Sequence, residues 1–282
     1  MIRWSRAGWQ LAFVGALALG PASPAGAQNP DVQTADLDGQ AWLDRCRRDD
    51  RGWGDRERYC EVRVLRLDAQ RSLDVDGRQN GGVRVHGWDR DEVRVVAHIQ
   101  TEAEDDSEAK SLASRIEIAA RDGRVRAEGP PLQGHSNWSV SYELWVPHAT
   151  DLTVNAQNGG LSVDDVEGHV DLSTVNGGIS VRRVAGDVRG QTTNGSVNAV
   201  LEGERWEGTG LELQTTNGSV NLSIPDGYSA RLETGTINGG MRVEFPITVQ
   251  GTIGRRLTTQ LGRGGPPIRA LTVNGSVNIR RR

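Results

Sequence analysis

The feature that most constrains this chain is an internal repeat in its second half. An Asn-Gly step, with Thr two residues before the Asn in most copies, recurs at Asn158, Asn176, Asn194, Asn217, Asn238 and Asn274. Apolar residues stand three and five positions after each Asn, and another stands six positions before it. This period-two alternation on both sides of a turn predicts two half-buried strands in every repeat.

Two architectures can use such a unit. An Asn-Gly step between alternating strands is a strong hairpin signal, which favours an antiparallel meander. The spacing favours a β-solenoid, because Asn158, Asn176 and Asn194 follow one another at intervals of eighteen residues. In a solenoid each residue contacts its equivalent one turn later, so identical Thr and Asn side chains form ladders. We therefore predict an all-β protein, a parallel β-solenoid (β-helix) with rungs of about 18 to 23 residues and one short helix in the N-terminal half.

The charged residues support the same stacking. An offset of eighteen residues brings opposite charges together and avoids like charges, since it places Asp164 on Arg182, Asp165 on Arg183, Asp171 on Arg189 and His169 on Asp187. The later gaps of 23, 21 and 36 residues predict loop insertions, and the last gap contains a candidate weak rung at 248–253.

The Asn-Gly step predicts a sharp corner in the backbone. Asn tolerates positive φ and Gly adopts it freely, so we expect positive φ at this turn ladder of asparagines, for example at Asn194.

The N-terminal half divides into three parts. Residues 1–27 have the basic start, short apolar run and Ala-Gly-Ala ending of a secretory signal peptide. Residues 28–60 form a polar segment that contains both cysteines, and in an exported chain Cys46 and Cys60 most simply form one disulfide. Residues 61–147 are predicted to be β-rich, with a helix near 106–114, and to cap or begin the solenoid at 148–282.

Charge and motifs exclude several classes of function. Removal of the signal peptide leaves 31 basic and 37 acidic side chains, which argues against nucleic acid as a partner. The five histidines share no ligand spacing, so we predict no metal site and no cofactor. No transmembrane segment is expected after signal removal, and the predicted location is the periplasm or the cell surface.

Binding is the better functional hypothesis than catalysis. Outward strand positions carry amides and hydroxyls, and we name Gln157, Gln191 and Gln214 as a candidate glycan face, with Trp206 available to stack on a sugar ring. An ordinary solvent-facing surface is the alternative interpretation. No catalytic residue is assigned, because four neighbouring acids have cationic partners at the eighteen-residue offset, namely Asp164, Asp165, Asp171 and Asp187. The alternative function is a carbohydrate-active β-helix enzyme, either a polysaccharide lyase or a hydrolase.

The chain also resembles a known bacterial family. The resemblance rests on the exported leader, the Cys pair ending in Tyr59-Cys60-Glu61, the segment Asn80-Gly81-Gly82-Val83, and the Thr-x-Asn-Gly-x-Val repeats that close at Asn274. The family consists of β-strand-repeat proteins that carry an adhesin label and are classed as a domain of unknown function. The resemblance implies a β-helical envelope or surface protein, and it brings no catalytic residues. Together with the residues above, it leads us to expect a non-enzymatic adhesion or scaffold module whose partner is a glycan or an envelope protein.

Overall fold

The computed structural model describes residues 37–48, 56–131, 134, 136–245 and 255–282. The predicted signal peptide at 1–27 and the candidate weak rung at 248–253 lie outside the described residues. The elements run in chain order as α1 Leu37–Arg48, β1 Glu57–Asp68, β2 Ser72–Asp76, β3 Val83–Trp88, β4 Glu92–Ala103, α2 Asp106–Ser114, β5 Glu117–Arg121, β6 Arg124–Glu128, β7 Asn137–Pro147, β8 Asp151–Ala156, β9 Leu161–Asp164, β10 Glu167–Asn176, β11 Ile179–Arg182, β12 Ala185–Asn194, β13 Val197–Val200, β14 Gly210–Asn217, β15 Val220–Ile224, β16 Ala230–Asn238, β17 Met241–Val243, β18 Arg256–Leu261, β19 Pro267–Asn274 and β20 Val277–Arg281.

The described strands form two ten-stranded sheets. The first sheet has the order β1-β4-β7-β3-β9-β11-β13-β15-β20-β17, and the second has the order β18-β16-β19-β14-β12-β10-β8-β2-β6-β5. The prediction of an all-β protein is confirmed. The sheets are mixed rather than wholly parallel, because antiparallel pairs join β1, β4 and β7, join β5 to β6, and join β16 to β18.

Each repeat contributes one strand to each sheet. In one copy β10 ends at Asn176 in the second sheet, and β11 begins at Ile179 in the first sheet. The Asn-Gly step is therefore a corner between the sheets and not a hairpin. Neighbouring repeats pair in parallel with no slip, so that Asn176 lies beside Asn194 and Ile179 lies beside Val197.

The inward positions of these strands build one core. The apolar residues six positions before each Asn are at most 1% exposed: Leu152, Val170, Val188, Leu211, Leu232 and Ile268. Burial of an aliphatic side chain is worth about 1.5–3 kcal/mol, so a column of such residues is a major source of stability. The same alternation fixes the strand register, because a slip of one residue would turn the whole column toward solvent.

Identical side chains form ladders along the corner. The Nδ2 atom of each Asn donates to the Oδ1 atom of the Asn on a neighbouring strand, at 2.8 Å between Asn194 and Asn176 and at 3.1 Å between Asn158 and Asn80. Beneath them Thr174 donates from Oγ1 to the carbonyl of Gly159, 3.0 Å away. The ladder contains the six predicted asparagines and Asn80.

The prediction of positive φ at these asparagines is wrong. Among the described non-glycine residues, positive φ occurs at Arg78, Asp122, Asp165 and Arg183. The glycine of the step is needed for a different reason, because a Cβ atom on Gly159 would overlap the carbonyl oxygen of Gly81, which lies between β2 and β3. The next position has space for a side chain, because a Cβ on Gly160 would lie 3.5 Å from the nearest atom, the carbonyl oxygen of Gly178. Stacking of the backbone therefore explains why Gly occurs at the first position and either Gly or Ser at the second.

The repeats do not stack in chain order at the C-terminal end. The last repeat inserts β19 between β14 and β16, and it inserts β20 between β15 and β17. Asn274 thus bonds to Asn217 on one side and to Asn238 on the other. The expectation that each turn lies on the preceding one fails here.

The N-terminal half contains one predicted and one unpredicted helix. Helix α2 has the expected position, with Asp105 as its N-cap and Ala109, Leu112 and Ala113 buried. Helix α1 was not predicted, since its sequence is polar and includes Gly39. The predicted disulfide between Cys46 and Cys60 is present and joins α1 to β1. No helix within the described part of the chain is long and apolar enough to cross a membrane.

Candidate functional site

The outward side of the second sheet carries a row of amide and hydroxyl side chains. The residues three positions before the corner Asn lie side by side on β8, β10, β12 and β14, because strand alternation turns every second residue outward. Their register pairs join Asn155 to Ser173, Ser173 to Gln191, and Gln191 to Gln214. Gln157 follows β8 and is exposed beside this row. We call the surface formed by Asn155, Gln157, Ser173, Gln191 and Gln214 the amide face.

The amide face has defined limits. Beyond Gln214 the row continues with Leu271 of β19, so the amides end at β14. On the other side Asn155 pairs with Asp76 of β2. Four strands at a spacing of about 4.8 Å make the face roughly 14 Å wide across the strands. Within it the Nε2 atom of Gln214 donates to Glu212 on the same strand.

A cleft of about 590 Å³ lies at the β2 end of the amide face. Its lining includes Gln157, Asn155 and Ser173 from the face. The other lining residues used below are Asp76, Arg78, Trp138 and Val175. We call it the end cleft. Its size is that of ordinary small-ligand pockets.

The aromatic and charged groups of the end cleft are held in place by local contacts. The indole Nε1 of Trp138 donates to the carbonyl of Pro130 at 3.0 Å. Gly129 lies against the same ring, since a Cβ there would come within 2.9 Å of its Cζ2 atom. The backbone N–H of Arg78 donates to Asp76 Oδ1 at 2.8 Å, which stabilises the turn where Arg78 has a φ of 55°. The cleft thus combines an indole, amides and one pair of opposite charges.

The predicted face residues have different positions in the structure. Gln157, Gln191 and Gln214 lie on one surface, but among them Gln157 alone lines the end cleft. The prediction for Trp206 is wrong, because this side chain is 3% exposed and belongs to the main core. Its Nε1 donates to the carbonyl of Gly186 at 3.0 Å. An insertion loop between two repeats carries Trp206 inward, so its indole cannot stack on a ligand.

Sequence reasoning missed the residues that complete the cleft. Trp138 and Trp145 are seven residues apart and therefore lie on opposite sides of one strand, but alternation does not say which faces a cavity. No sequence pattern marked Arg78 or Val175 as cleft residues. The 43% exposure of Val175, which is unusual for a large apolar residue, becomes visible only in the folded chain.

The four acids that an enzyme could use do not all lie on one sheet, and arginines lie within 4.0 Å of Asp164, Asp165 and Asp187. Asp164 belongs to the first sheet and Asp171 to the second. Arg182 Nη2 is 2.7 Å from Asp164, and Asp187 is 3.4 Å from a ring nitrogen of His169. The hydrogen bond from Arg182 holds the pKa of the Asp164 carboxyl below its usual range. A lowered pKa and a buried position do not suit a general acid at neutral pH.

Asp164 nevertheless differs from the predicted solvated ion pair. Its side chain is 11% exposed, and both Arg182 and Arg183 reach it within 2.8 Å. The chain places a buried carboxylate beneath two partly exposed guanidinium groups. Asp164 is the last residue of β9, so this cluster lies at the turn that follows β9.

Three solved structures illustrate the similarity to known proteins. A putative cell adhesion protein from Clostridium sporogenes is 11% identical, covers 80% of this chain and 100% of its own, and has a TM-score of 0.45. A putative adhesin from Bacteroides fragilis is 12% identical over 79% of this chain and 97% of its own, with a TM-score of 0.36. A putative adhesin from Parabacteroides distasonis is 10% identical over 78% and 97%, with a TM-score of 0.40. The comparison with curated proteins gave no significant match.

The family comparison is more direct. The model of the family described as Toastrack DUF4097 matches residues 112–280, which is more than half of the 282 residues. The match covers the repeats and the corner asparagines from Asn158 to Asn274. The chain therefore belongs to the Toastrack DUF4097 family.

Proposed function

We propose that this protein is an exported, non-enzymatic adhesion or scaffold module of the bacterial envelope or surface. In this proposal residues 148–282 act as a β-solenoid, residues 61–147 close one of its ends, and the amide face binds an extended glycan. The observation that carries the proposal is the row of amide and hydroxyl groups on four consecutive strands, which leads into a cleft containing Trp138.

The chemistry of the row suits a polyhydroxylated polymer. Each Gln or Asn amide offers two donors and an acceptor, which matches the mixed donor and acceptor character of sugar hydroxyls. The backbone of the sheet holds these groups at fixed spacing, so little conformational entropy is lost beyond that of the side chains. A terminal sugar would enter the end cleft, where Trp138 supplies apolar area and Gln157 supplies hydrogen bonds.

Binding is favoured over cleavage by the arrangement of the carboxylates. Glycoside hydrolysis needs two carboxyl groups on either side of one bond. In this chain Asp164 is engaged by two arginines, and Asp171 lies on the other sheet. The end cleft contains Asp76, whose Oδ1 atom accepts a hydrogen bond from the backbone of Arg78.

The test is incubation of the mature protein with a panel of bacterial and host polysaccharides, with retention on the glycan and release of soluble fragments recorded together. We expect retention without fragments. The triple substitution Gln157→Ala, Gln191→Ala and Gln214→Ala should weaken retention at least tenfold, and Trp138→Ala should weaken it comparably. Gln70→Ala, a half-buried glutamine between β1 and β2 and outside the amide face, is the control and should behave as the native protein.

The remaining outcomes contradict the proposal in different ways. Fragment release would identify a lyase or hydrolase. Undiminished retention in the triple variant would show that the glycan binds to a surface other than the amide face. Absence of both signals would leave an envelope protein as the partner to search for.

A further inference from the structure

A second cleft lies on the outward side of the first sheet. Helix α1 packs against β1 and β4 there, and a space of about 690 Å³ remains between the helix and the neighbouring strands. We call it the helix cleft. The strands contribute His86, Glu143 and Trp145, and the helix contributes Trp42 and Arg45. The core of the protein separates this cleft from the amide face, because the two surfaces are the outward sides of opposite sheets.

A disulfide, a small buried cluster and a stacked ring pair hold the helical wall of this cleft. The disulfide between Cys46 and Cys60 links α1 to β1, and Leu43 joins both cysteines in a small buried cluster. Trp42 packs against that cluster, and its indole stacks on the imidazole of His98 with ring centres 4.7 Å apart and an angle of 11° between the planes. The disulfide and the stacking on His98 therefore both contribute to the position of the Trp42 indole, which lines the cleft.

The charges that line the helix cleft favour an anion. Glu143 Oε1 is hydrogen-bonded to His86 Nε2 at 3.0 Å and lies 3.6 Å from Arg84 Nη1. The hydrogen bond from His86 lowers the pKa of the Glu143 carboxyl. Burial lowers the pKa of His98 to about 4, so this imidazole is neutral at pH 7. Arg84 and Arg45 thus provide two guanidinium groups against a single carboxylate, and the Arg84 side chain is 61% exposed.

We propose that the helix cleft binds a sugar unit that carries a carboxylate, such as a uronic acid. The carboxylate would accept charge-assisted hydrogen bonds from the guanidinium groups of Arg45 and Arg84, which both line the cleft. The sugar ring would lie beside the indole of Trp42, and Glu143 would accept hydrogen bonds from its hydroxyls. This site is independent of the amide face and does not rest on the function proposed above.

Titration calorimetry with two disaccharides tests the assignment. The probes are digalacturonic acid and the neutral galactose disaccharide of the same linkage. We expect the acid to bind and the neutral sugar to bind at least tenfold more weakly. Arg45→Gln and Arg84→Gln should each reduce affinity for the acid about tenfold, whereas Arg90→Gln, an exposed arginine outside the cleft, should have no effect.

The helical wall supplies a second test. The double substitution Cys46→Ser and Cys60→Ser should release α1 and weaken binding of the acid at least tenfold. If that variant folds poorly, Trp42→Ala in the disulfide-bonded protein serves the same purpose, with the thermal transition recorded as a check on folding.

Three results would overturn the inference. They are equal binding of the two disaccharides, native affinity in both arginine variants, or no heat from the acid at millimolar concentration. The amide-face triple variant should bind the acid normally, and this separates failure of the helix cleft from failure of the glycan-binding proposal.

Discussion

Arg269 and Glu233 are 36 residues apart in the chain, yet Arg269 Nε lies 2.8 Å from Glu233 Oε2. The other side of the same guanidinium approaches Glu212, with Nη1 3.8 Å from its carboxylate. The three residues lie on β16, β19 and β14, which are neighbours in the second sheet. If the repeats stacked in chain order, Glu212 would lie directly beside Glu233. Insertion of the last repeat replaces a repulsive contact with two attractive ones.

Reversal of the charge at this position should therefore weaken the inserted repeat. We expect Arg269→Glu to lower the urea midpoint, because three acids would then stand in one row, and we expect added salt to reduce the loss. Unfolding at low and high ionic strength measures this effect. The double variant Arg269→Glu with Glu233→Arg should recover part of the stability, and a lack of recovery would show that the ion pair does not contribute to the strand order.

The two glycines of one corner should respond very differently to alanine. Gly159→Ala should destabilise by about 2–4 kcal/mol, since its Cβ would overlap the carbonyl oxygen of Gly81 and force the strands apart. Gly160→Ala is the matched control, with 3.5 Å of space, and should change stability by less than about 1 kcal/mol. Denaturant unfolding of both variants measures the contrast. Equal effects would mean that backbone stacking is not the constraint.

Each asparagine of the ladder should contribute modestly to the free energy of unfolding. Asn194→Ala removes the hydrogen bonds to Asn176 and Asn217, both 2.8 Å long and exposed, so we expect a loss of about 1 kcal/mol. Thr193→Ala, at the exposed neighbouring position, is the control and should be close to neutral. The thermal transition of each variant gives the measurement. A native transition in the Asn194 variant would assign the ladder no energetic role.

Asp164 should make stability depend on acid pH. Its pKa is lowered in the folded protein, first by the hydrogen bond from Arg182, so its contribution is present above the ordinary Asp pKa of about 4 and is lost as the pH falls through the folded value. We expect Asp164→Asn to cost about 2 kcal/mol at pH 7 and progressively less below about pH 4. Urea unfolding from pH 7 to pH 2 tests this dependence. A loss that is independent of pH would indicate packing rather than charge.

Asp171→Asn provides the comparison for Asp164. Asp171 is half-exposed and lies beside Arg189 in the strand register, so its substitution should cost less than about 1 kcal/mol at pH 7.

Trp206 should behave as a core residue. Trp206→Ala should destabilise by about 3–5 kcal/mol, because it leaves a large cavity and removes the hydrogen bond to the carbonyl of Gly186. Glycan retention measured at a temperature where the variant remains folded should equal that of the native protein. Reduced retention in a folded variant would restore Trp206 as a binding residue.

The repeats made several local features predictable. Alternation around each Asn-Gly step determined which side chains point inward, and the offset of eighteen residues predicted contacts such as that of Asp164 with Arg182. Helix α2 and the disulfide between Cys46 and Cys60 were likewise predictable. These features depend on chain neighbours or on a regular period, and a linear sequence records both.

Only the tertiary structure decided the order of the strands, the role of the corner glycines and which residues line each cleft. The position of the last repeat depends on which strands it pairs with. That pairing brings together charged residues distant in the chain, such as Arg269 and Glu233. The need for Gly159 comes from the backbone of Gly81, which is 78 residues away in the chain. The cleft residues come from separate elements, with Trp138 on β7 and Gln157 after β8. The sequence by itself determined the repeating unit and its buried face, because period-two alternation and local turn chemistry act between near neighbours. The packing of segments distant in the chain determined the rest.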